Sequence, residues 1–385
     1  MAEDKQAKTK ENFFNAINHI EPDYVPKAIN GSNAILDFAG MTFTEAEYDP
    51  EKTEQVFRNL FENIPLDVGN IGFNASPKTY VALNNRTETF LAPDGVTLQH
   101  LQKPPMKADE YPELIAGVDK FVKETLLPRK YPELFDGGKE GAKDKIKTIV
   151  DESASRIQGH YTQIQQKMYA EYGFFPYPTT ITPRFCTPID IVFDRMRGFV
   201  GTIADLRRRP AEVHAALDAI FALRGTDYSD IQVTGLFTSY MSHIPCYLNP
   251  KQYDEFFWPY FKLQVTNLGN SGNKLWIFIE GHWLPFIESF LDLPKDSLYN
   301  LVDDDDILDL VKVAGHHQSF IGGIVMQNAK LYPLQKNIDY AKKVIDECAP
   351  GGGFVFGNNK SAVCKGDINQ NVVDLYKFAD DYGRK

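Results

Sequence analysis

Short β-rich runs that alternate with helical stretches are the feature of this sequence that most constrains its fold. Eight such runs can be identified, and most of them end in polar or glycine residues: 24–30, 66–73, 178–185, 231–237, 274–280, 297–303, 319–323 and 353–357. Strands that are joined through helices form a parallel sheet with right-handed crossovers. Eight units of this kind predict an α/β fold that closes into a (β/α)8 TIM-type barrel rather than an open sheet.

One interval, from about residue 74 to residue 177, is too long for a single crossover. It contains alternating runs at 79–83 and 87–91, a turn signal at Asp94-Gly95, a further run at 96–101, and then at least two helical stretches. We therefore predict a β-hairpin and a helical segment inserted after the second strand, where they cover one mouth of the barrel. The whole chain, residues 1–385, is expected to form one domain.

Composition excludes several classes of function. The 385 residues include 41 basic and 52 acidic side chains, a formal charge of −11, which disfavours a nucleic-acid partner. No run of 18 apolar residues predicts a membrane span, and the polar first residues lack the apolar core of a secretory signal. The four cysteines form no CxxC motif and no disulfide framework. These features predict a cytoplasmic protein that acts on a small molecule.

In a barrel of this kind the functional groups lie at the carboxyl ends of the strands. The polar residues at those positions include Asn30, Arg184, Tyr240, His243, Glu280, His282, Asp303 and Asn358. Aromatic residues cluster near the same ends and would suit an apolar pocket: Phe174, Phe175, Tyr177, Phe185, Tyr240 and Trp283. From these two sets we predict substrate contacts by Asn30, Arg184, Tyr240, Trp283 and Asn358.

The stretch Glu280-Gly281-His282 is the most informative of these strand ends. A carboxylate and an imidazole two residues apart could ligate zinc or act as an acid–base pair. They could equally be a carboxylate that accepts from backbone donors and a solvated histidine. Asp303 closes the following strand, and His243 follows an earlier one, so that Glu280, Asp303 and His243 are the candidate catalytic residues. No GxSxG, HExxH or GxGxxG motif is present.

Several longer stretches resemble the uroporphyrinogen decarboxylase-like superfamily. The opening residues 11–26 are similar to the family's "ALNHEEPDRVP" start, and Lys107-Ala-Asp-Glu-Tyr111 with Leu127-Pro-Arg129 is similar to a segment of its methyltransferase-like branch. Arg195-Met-Arg-Gly198, with Asp205 and Arg209-Pro210, resembles the "LRG…D…RRP" pattern, and residues 253–260 resemble the "FeeFywPy" helix. The resemblance extends over nearly the whole chain and implies a (β/α)8 barrel.

The superfamily contains decarboxylases and methyltransferases linked to corrinoids or coenzyme M. The arginine-rich signature of the decarboxylase is not found here, and the His-x-Cys of the zinc methyltransferases is replaced by Phe278-Ile-Glu280. The methoxyaromatic demethylases of the superfamily, which use carboxylate and imidazole ligands, are the better match. Glu280 is the position that this resemblance transfers as a metal ligand, with His282, His243 or Asp303 completing the shell.

The resemblance implies a methyltransferase that moves a methyl group from a small methoxylated or methylated substrate to a corrinoid on a partner protein. The expected cofactors are therefore zinc, and a corrinoid carried by that partner. A metal-free decarboxylase or lyase is the alternative, with Arg184 binding a carboxylate and Asp303 handling protons. A third interpretation is a corrinoid- or tetrapyrrole-binding accessory protein.

Overall fold

The computed structural model describes residues 2–73, 89–101, 103–156, 160–177, 185–229, 231, 233, 235 and 237–384. Within these residues the chain forms ten strands, which we number in chain order. They are β1 (Lys27–Gly31), β2 (Val68–Ile71), β3 (Thr89–Leu91), β4 (Leu98–His100), β5 (Phe175–Pro176), β6 (Phe237–Ser242), β7 (Leu275–Ile279), β8 (Leu298–Val302), β9 (Ser319–Ile324) and β10 (Phe354–Asn358).

Eight of these strands form one curled parallel sheet. Their order is β5-β2-β1-β10-β9-β8-β7-β6, and every neighbouring pair is parallel. This is the chain order of a TIM-like barrel, since β1 lies between the next strand of the sheet and the last one. Among the described residues, β5 and β6 form the two edges of the sheet. The mixed α/β class and the parallel sheet agree with the prediction from sequence.

Two strands lie at other positions than the sequence patterns predict. The third strand of the sheet is formed by Phe175–Pro176, whereas the predicted run lies at 178–185, most of which is outside the described residues. The fourth strand extends over Phe237–Ser242 instead of ending at Phe237. Its serine and threonine residues resemble a turn in the sequence, but pairing with β7 continues through them past an irregularity at Phe237/Ser239.

The antiparallel pair β3 and β4 lies within the long interval after β2. The Asp94 carboxylate accepts hydrogen bonds from the backbone N–H groups of Val96 and Thr97, both at 2.9 Å, which holds the connecting turn. The Asn33 amide donates to the carbonyl of Val96 at 2.9 Å. Because Asn33 follows β1, this contact places the turn at the carboxyl end of the sheet.

Helices connect and cover the strands. The α-helices of the described residues are Ala2–Ile17, Ala34–Phe38, Phe43–Ala46, Pro50–Asn63, Tyr111–Ala116, Val118–Phe121, Leu127–Lys130, Gly138–Arg156, Thr162–Tyr172, Pro188–Ile191, Gly198–Arg208, Pro210–Arg224, Pro250–Gln252, Trp258–Asn270, Ile307–Ala314, Met326–Leu331, Leu334–Cys348 and Gln370–Tyr382. Short 3₁₀ helices occur at Pro245–Tyr247 and Ile287–Asp292. None of the helices in the described part of the chain has both the length and the apolar character that a membrane span requires.

Three stretches of five or more described residues are π-helical: Val122–Leu126, Val192–Arg197 and Tyr253–Phe257. Each continues directly from an α-helical segment, so that it inserts a wide turn into a longer helix. Turns of this kind are frequent at functional sites. The second of them carries Asp194, whose contacts are described below.

A buried ion pair joins the helix Gly198–Arg208 to residues of the long interval that follows β2. The Arg197 guanidinium donates to the Asp205 carboxylate at 2.6 Å and to the carbonyl of Met106 at 2.7 Å. The Tyr111 hydroxyl donates to the same carboxylate at 3.1 Å. The Arg197 and Asp205 side chains are only 12% and 4% exposed. This pair therefore joins residues 106–111 to the helix Gly198–Arg208.

The inside of the sheet is filled by alternate side chains of the strands. Ala28, Trp276, Tyr299 and Leu301 belong to one buried cluster, together with Phe13 of the first helix. The Phe13 ring lies 5.6 Å from the ring of Tyr299, so the first helix closes the amino end of the sheet. Because side chains alternate between the two faces of a strand, residues two or four positions further along point to the same interior.

Candidate active site

The register of three neighbouring strands determines which polar residues meet at the carboxyl end. Met241 is paired with Phe278, and Phe278 is paired with Leu301, across β6, β7 and β8. Two residues beyond this row lie His243, Glu280 and Asp303. Strand alternation turns all three side chains toward the interior, and we call these three residues the interior set. They share one site at the carboxyl end of the sheet, which we call the mouth of the sheet.

His243 lies between two carboxylates. Its Nδ1 donates to the Asp194 carboxylate, at 2.9 and 3.0 Å from the two oxygens, and its Nε2 lies 3.3 Å from Oε2 of Glu280. Burial alone would lower the pKa of His243, but the hydrogen bond to Asp194 and the charges of Asp194, Glu280 and Asp190 outweigh it. The pKa rises to about 9. Without a metal ion, His243 is therefore an imidazolium at neutral pH.

Asp190 binds the backbone of the residues that carry and follow the His243 side chain. It is fully buried and accepts from the backbone N–H groups of His243 and Ile244 at 3.1 and 3.0 Å. Its other oxygen accepts from the hydroxyls of Thr187, at 2.7 Å, and Tyr240. Burial raises the pKa of this carboxyl. With both oxygens occupied, Asp190 fixes the backbone of the loop after β6.

Glu280 is the partly exposed acid of the site. Burial raises the pKa of its carboxyl above the ordinary range, although the nearby charge of His243 opposes the rise. Cys246 adjoins this carboxylate, and burial raises the pKa of its thiol to about 11. Glu280 thus offers a carboxylate to the mouth, with an imidazole and a thiol as neighbours.

Asp303 completes the interior set and is bound to a lysine that follows the last strand. One oxygen of its carboxylate lies 2.8 Å from Nζ of Lys360, and the other accepts from the backbone N–H of Gly281 at 2.9 Å. Burial alone would lower the pKa of Lys360, but the ion pair with Asp303 raises it above the ordinary value. Asp303 therefore ties the end of β7 to the loop after β10.

Gly281 sits where a side chain would not fit, which gives a testable prediction. Its φ is +75°, and a Cβ there would lie 2.7 Å from Cβ of Cys246. We expect Gly281→Ala to lower the free energy of unfolding by about 2–3 kcal/mol, because strain from the positive φ adds to the clash. Urea unfolding would measure the change.

Gly366→Ala is the matched control for this substitution. Gly366 has nearly the same φ, +77°, but a Cβ added there would have no other atom within 4 Å. The free energy of unfolding of Gly366→Ala should fall only by the conformational cost of the positive φ, about 1–2 kcal/mol. Equal losses for the two variants would contradict the close contact between Gly281 and Cys246.

His282 and Trp283 are placed apart from the interior set. The His282 side chain is 71% exposed, and its Nδ1 lies 3.4 Å from the Asp305 carboxylate. Trp283 is completely buried, donates from Nε1 to the carbonyl of Glu280 at 3.1 Å, and contacts the Phe257 ring. In this arrangement Trp283 supports the backbone that carries Glu280, and His282 faces solvent beside Asp305.

The remaining predicted substrate contacts lie on both faces of the strands. Asn358 points outward, where its amide bonds the backbone of Asn30 and its Oδ1 accepts from Tyr376. Tyr240 also points outward, to Asp190. The Asn30 side chain is 2% exposed, and neither its amide nitrogen nor its oxygen has a hydrogen-bond partner among the described residues. Arg184 lies outside the described residues.

Asp190 and Asp194 are not among the site residues predicted from the sequence. They stand four positions apart in Pro188-Ile-Asp-Ile-Val-Phe-Asp194, a stretch in which the other side chains are apolar. Residues at that spacing lie on one side of a helix, and a buried aspartate in an apolar helix needs a partner. This was the available signal, although the stretch itself does not identify His243 as the partner.

The donor groups of this site can be compared with the ligand set that zinc requires. Within the described residues, Asp190, Asp194 and His243 bring ligand atoms within 4.8 Å of one another. Both oxygens of Asp190 already accept hydrogen bonds, and Asp194 accepts from Nδ1 of His243. The atoms that remain available to a metal ion are Nε2 of His243 and the carboxylate oxygens of Glu280. Nε2 of His243 and Oε2 of Glu280 are 3.3 Å apart, and two ligands of one tetrahedral zinc ion are separated by about 3.3 Å. The pair His243 and Glu280 therefore matches two of the three protein ligands that a catalytic zinc ion commonly has.

Comparisons with known proteins indicate the fold. No family model matches the chain, and no curated protein is similar to it. A solved methyltransferase from Methanosarcina mazei aligns with a TM-score of 0.55 at 13% identity, over 97% of this chain and 98% of that chain. A pneumococcal exo-β-D-N-acetylglucosaminidase aligns with a TM-score of only 0.35 at 9% identity, over 97% of this chain and 86% of that chain. The chain thus shares its overall fold with the methyltransferase.

Proposed function

We propose that this chain is a methyltransferase that takes a methyl group from a small methoxylated or methylated substrate. The observation that carries the proposal is the row Asp194–His243–Glu280 at the mouth of the sheet. A carboxylate on Nδ1 fixes the orientation of the imidazole and directs Nε2 toward Glu280, as in histidines that ligate metals. The fold shared with a methyltransferase supports the same conclusion.

In this proposal His243 and Glu280 hold a zinc ion, and Asp194 orients His243. Bound zinc would supply Lewis-acid polarisation of the substrate oxygen or sulfur from which the methyl group leaves. That atom would keep the electron pair of the bond that breaks, and a reduced corrinoid carried by a partner protein would supply the pair for the new bond to the methyl group. Lys360, paired with Asp303 at 2.8 Å, neutralises one of the carboxylates beside the site. A reducing cytoplasm is the compartment that we propose for this reaction.

Metal analysis of protein purified without chelator is the first test of the proposal. We expect about one zinc per chain in the wild type and its loss in Glu280→Ala, because a site with one protein ligand removed binds zinc far more weakly. Asp304→Asn is the matched control, since Asp304 is a 43% exposed carboxylate at the same mouth that lies 3.3 Å from Nζ of Lys360. It should retain the metal. Absence of zinc from the wild type would contradict the metal site.

Methyl transfer itself can be followed with free cob(I)alamin as the acceptor. We expect the absorption spectrum to change to that of methylcobalamin when a methoxylated aromatic compound is added to the wild-type protein. Adding a chelator should stop the change, and adding zinc back should restore it. If neither methoxylated nor methylated compounds produce methylcobalamin, the proposed reaction is wrong.

A metal-free decarboxylase is the second candidate, and one observation favours it. Without a metal ion, His243 is positively charged at neutral pH and lies in the same mouth as Lys360. The imidazolium could protonate the carbon from which CO₂ departs. Release of CO₂ without any methyl acceptor would support this candidate over methyl transfer.

A further inference from the structure

A second cavity lies outside the mouth of the sheet, between three helical segments. Its volume is about 380 Å³. The segments that line it are residues 118–131, residues 188–197 and the end of the helix Pro210–Arg224, together with Pro105. The first two contain the π-helical turns Val122–Leu126 and Val192–Arg197. We call this cavity the helical pocket.

The helical pocket is apolar inside. Leu126, Met196 and Ile220 contribute to its walls and are each less than 5% exposed. Leu223 also lines it but is 58% exposed, so apolar surface reaches the solvent at its edge. A cavity of a few hundred Å³ with apolar walls has the size and character of a small-molecule site.

The polar groups of the helical pocket are mostly cationic. Among the described residues that line it, Lys130, Arg195 and Arg224 are basic and Asp119 is acidic. The Asp119 carboxylate already lies 2.9 Å from Nζ of Lys123, which is not part of the lining. An occupant with a negative group would therefore meet the exposed guanidinium of Arg195.

The pocket is separate from the active site but shares a helix with it. Asp190 and Asp194 face His243, whereas Ile191 and Arg195, each one position further along, line the helical pocket. Consecutive residues of a helix point in different directions, so one helix presents both sets. A molecule in the pocket would contact the helix that orients His243 without entering the mouth of the sheet.

We propose that the helical pocket binds a small amphipathic carboxylate, with its apolar body against Leu126, Met196 and Ile220. Its carboxylate lies at the edge, within reach of Arg195, which is exposed and whose guanidinium can hold a carboxylate through two parallel hydrogen bonds. The binding role is independent of the methyl-transfer proposal, because none of the pocket residues belongs to the row Asp194–His243–Glu280.

Calorimetric titration with octanoate tests this site, and octanol serves as the probe without a charge. We expect one octanoate per chain and at least about tenfold weaker binding of octanol, since octanol cannot form charge-assisted hydrogen bonds. Wild-type protein that does not bind octanoate, or that binds octanol equally well, would overturn the proposal.

Substitutions then locate the bound molecule. Arg195→Gln should weaken the binding of octanoate at least about tenfold. Arg208→Gln, an equal charge change at another exposed arginine outside the pocket, should leave binding within about twofold. For the apolar part, Leu223→Asn should weaken binding, whereas Leu331→Asn, at a 75% exposed leucine elsewhere, should not. If the pocket variant and the control variant of either pair changed octanoate binding equally, the ligand would lie elsewhere and the assignment would be overturned.

Discussion

His243→Gln is expected to lower the rate of methyl transfer by about 10²–10⁴-fold, the range for a side chain that takes part directly in a chemical step. Glutamine keeps a polar side chain of similar length, but it lacks the Nδ1–H that binds Asp194, and its amide nitrogen can neither take a proton nor ligate a metal beside Glu280. The measurement is the initial rate of methylcobalamin formation at saturating substrate.

His282→Gln provides the matched control, because the same substitution is made at an exposed imidazole that follows Glu280 by two residues. His282 faces Asp305 and not the interior set, so the rate of methyl transfer by the His282→Gln variant should remain within about twofold of wild type. If His282→Gln were as slow as His243→Gln, our choice between these two imidazoles would be wrong.

Asp194→Asn separates the orientation of His243 from its chemistry. Loss of the carboxylate removes the main group that raises the pKa of His243, so we expect that pKa to fall below about 9 in an NMR titration of the metal-free protein. In the wild type, the raised pKa stabilises the fold fully below the unfolded value of about 6.5. This stabilisation disappears as the pH rises through about 9. The pH at which stability declines should therefore move downward in the variant.

Asp205→Ala should cause the largest loss of stability, about 3–5 kcal/mol in the free energy of unfolding. The substitution leaves the buried guanidinium of Arg197 without its carboxylate and the Tyr111 hydroxyl without its acceptor. Burying an unpaired charge costs far more than a typical surface ion pair contributes. Urea unfolding curves would give the difference.

Glu212→Ala is the control for this loss. Glu212 is a 42% exposed carboxylate in the first turn of the helix Pro210–Arg224, and it lies 3.7 Å from Arg209, which precedes that helix. Its removal should cost less than about 1 kcal/mol. If Asp205→Ala cost no more than Glu212→Ala, the pair of Arg197 and Asp205 would not be the anchor of residues 106–111.

The ion pair also explains part of the resemblance seen in the sequence. Arg197, Gly198 and Asp205 belong to the stretch that resembles a family motif, yet their contacts fasten helices together and lie apart from the mouth. Arg129 and Glu110, from a second such stretch, likewise form two hydrogen bonds with each other at 2.8 Å. Both stretches therefore contribute to the packing of the helices and carry less information about the reaction.

The parallel sheet was predictable because most of its strands are apolar runs bounded by helices. The third strand was not, since Phe175–Pro176 is two residues long and its pairing with β2 depends on neighbours distant in the sequence. The fourth strand contains serine and threonine, which resemble a turn locally. In both cases the tertiary contacts, and not the local pattern, determine the strand.

For the site, position at a strand end was a good guide but incomplete. It selected His243, Glu280 and Asp303, which strand register brings together, and also Tyr240 and Asn358, which point outward. Alternation along the strands could have separated the two groups, because Met241, Phe278 and Leu301 continue the interior face. Asp194 could not be paired with His243 from the sequence, since 49 positions separate them.

The π-helical turn Val192–Arg197 makes this protein sensitive to the length of its chain as well as to the identity of its residues. Deleting one residue between Asp190 and Asp194 would turn everything that follows by about 100° around the helix axis. Asp194 would then leave the imidazole of His243, and Arg197 would leave the carbonyl of Met106. Homologous chains that keep this site should therefore tolerate substitutions in the turn far better than single-residue insertions or deletions.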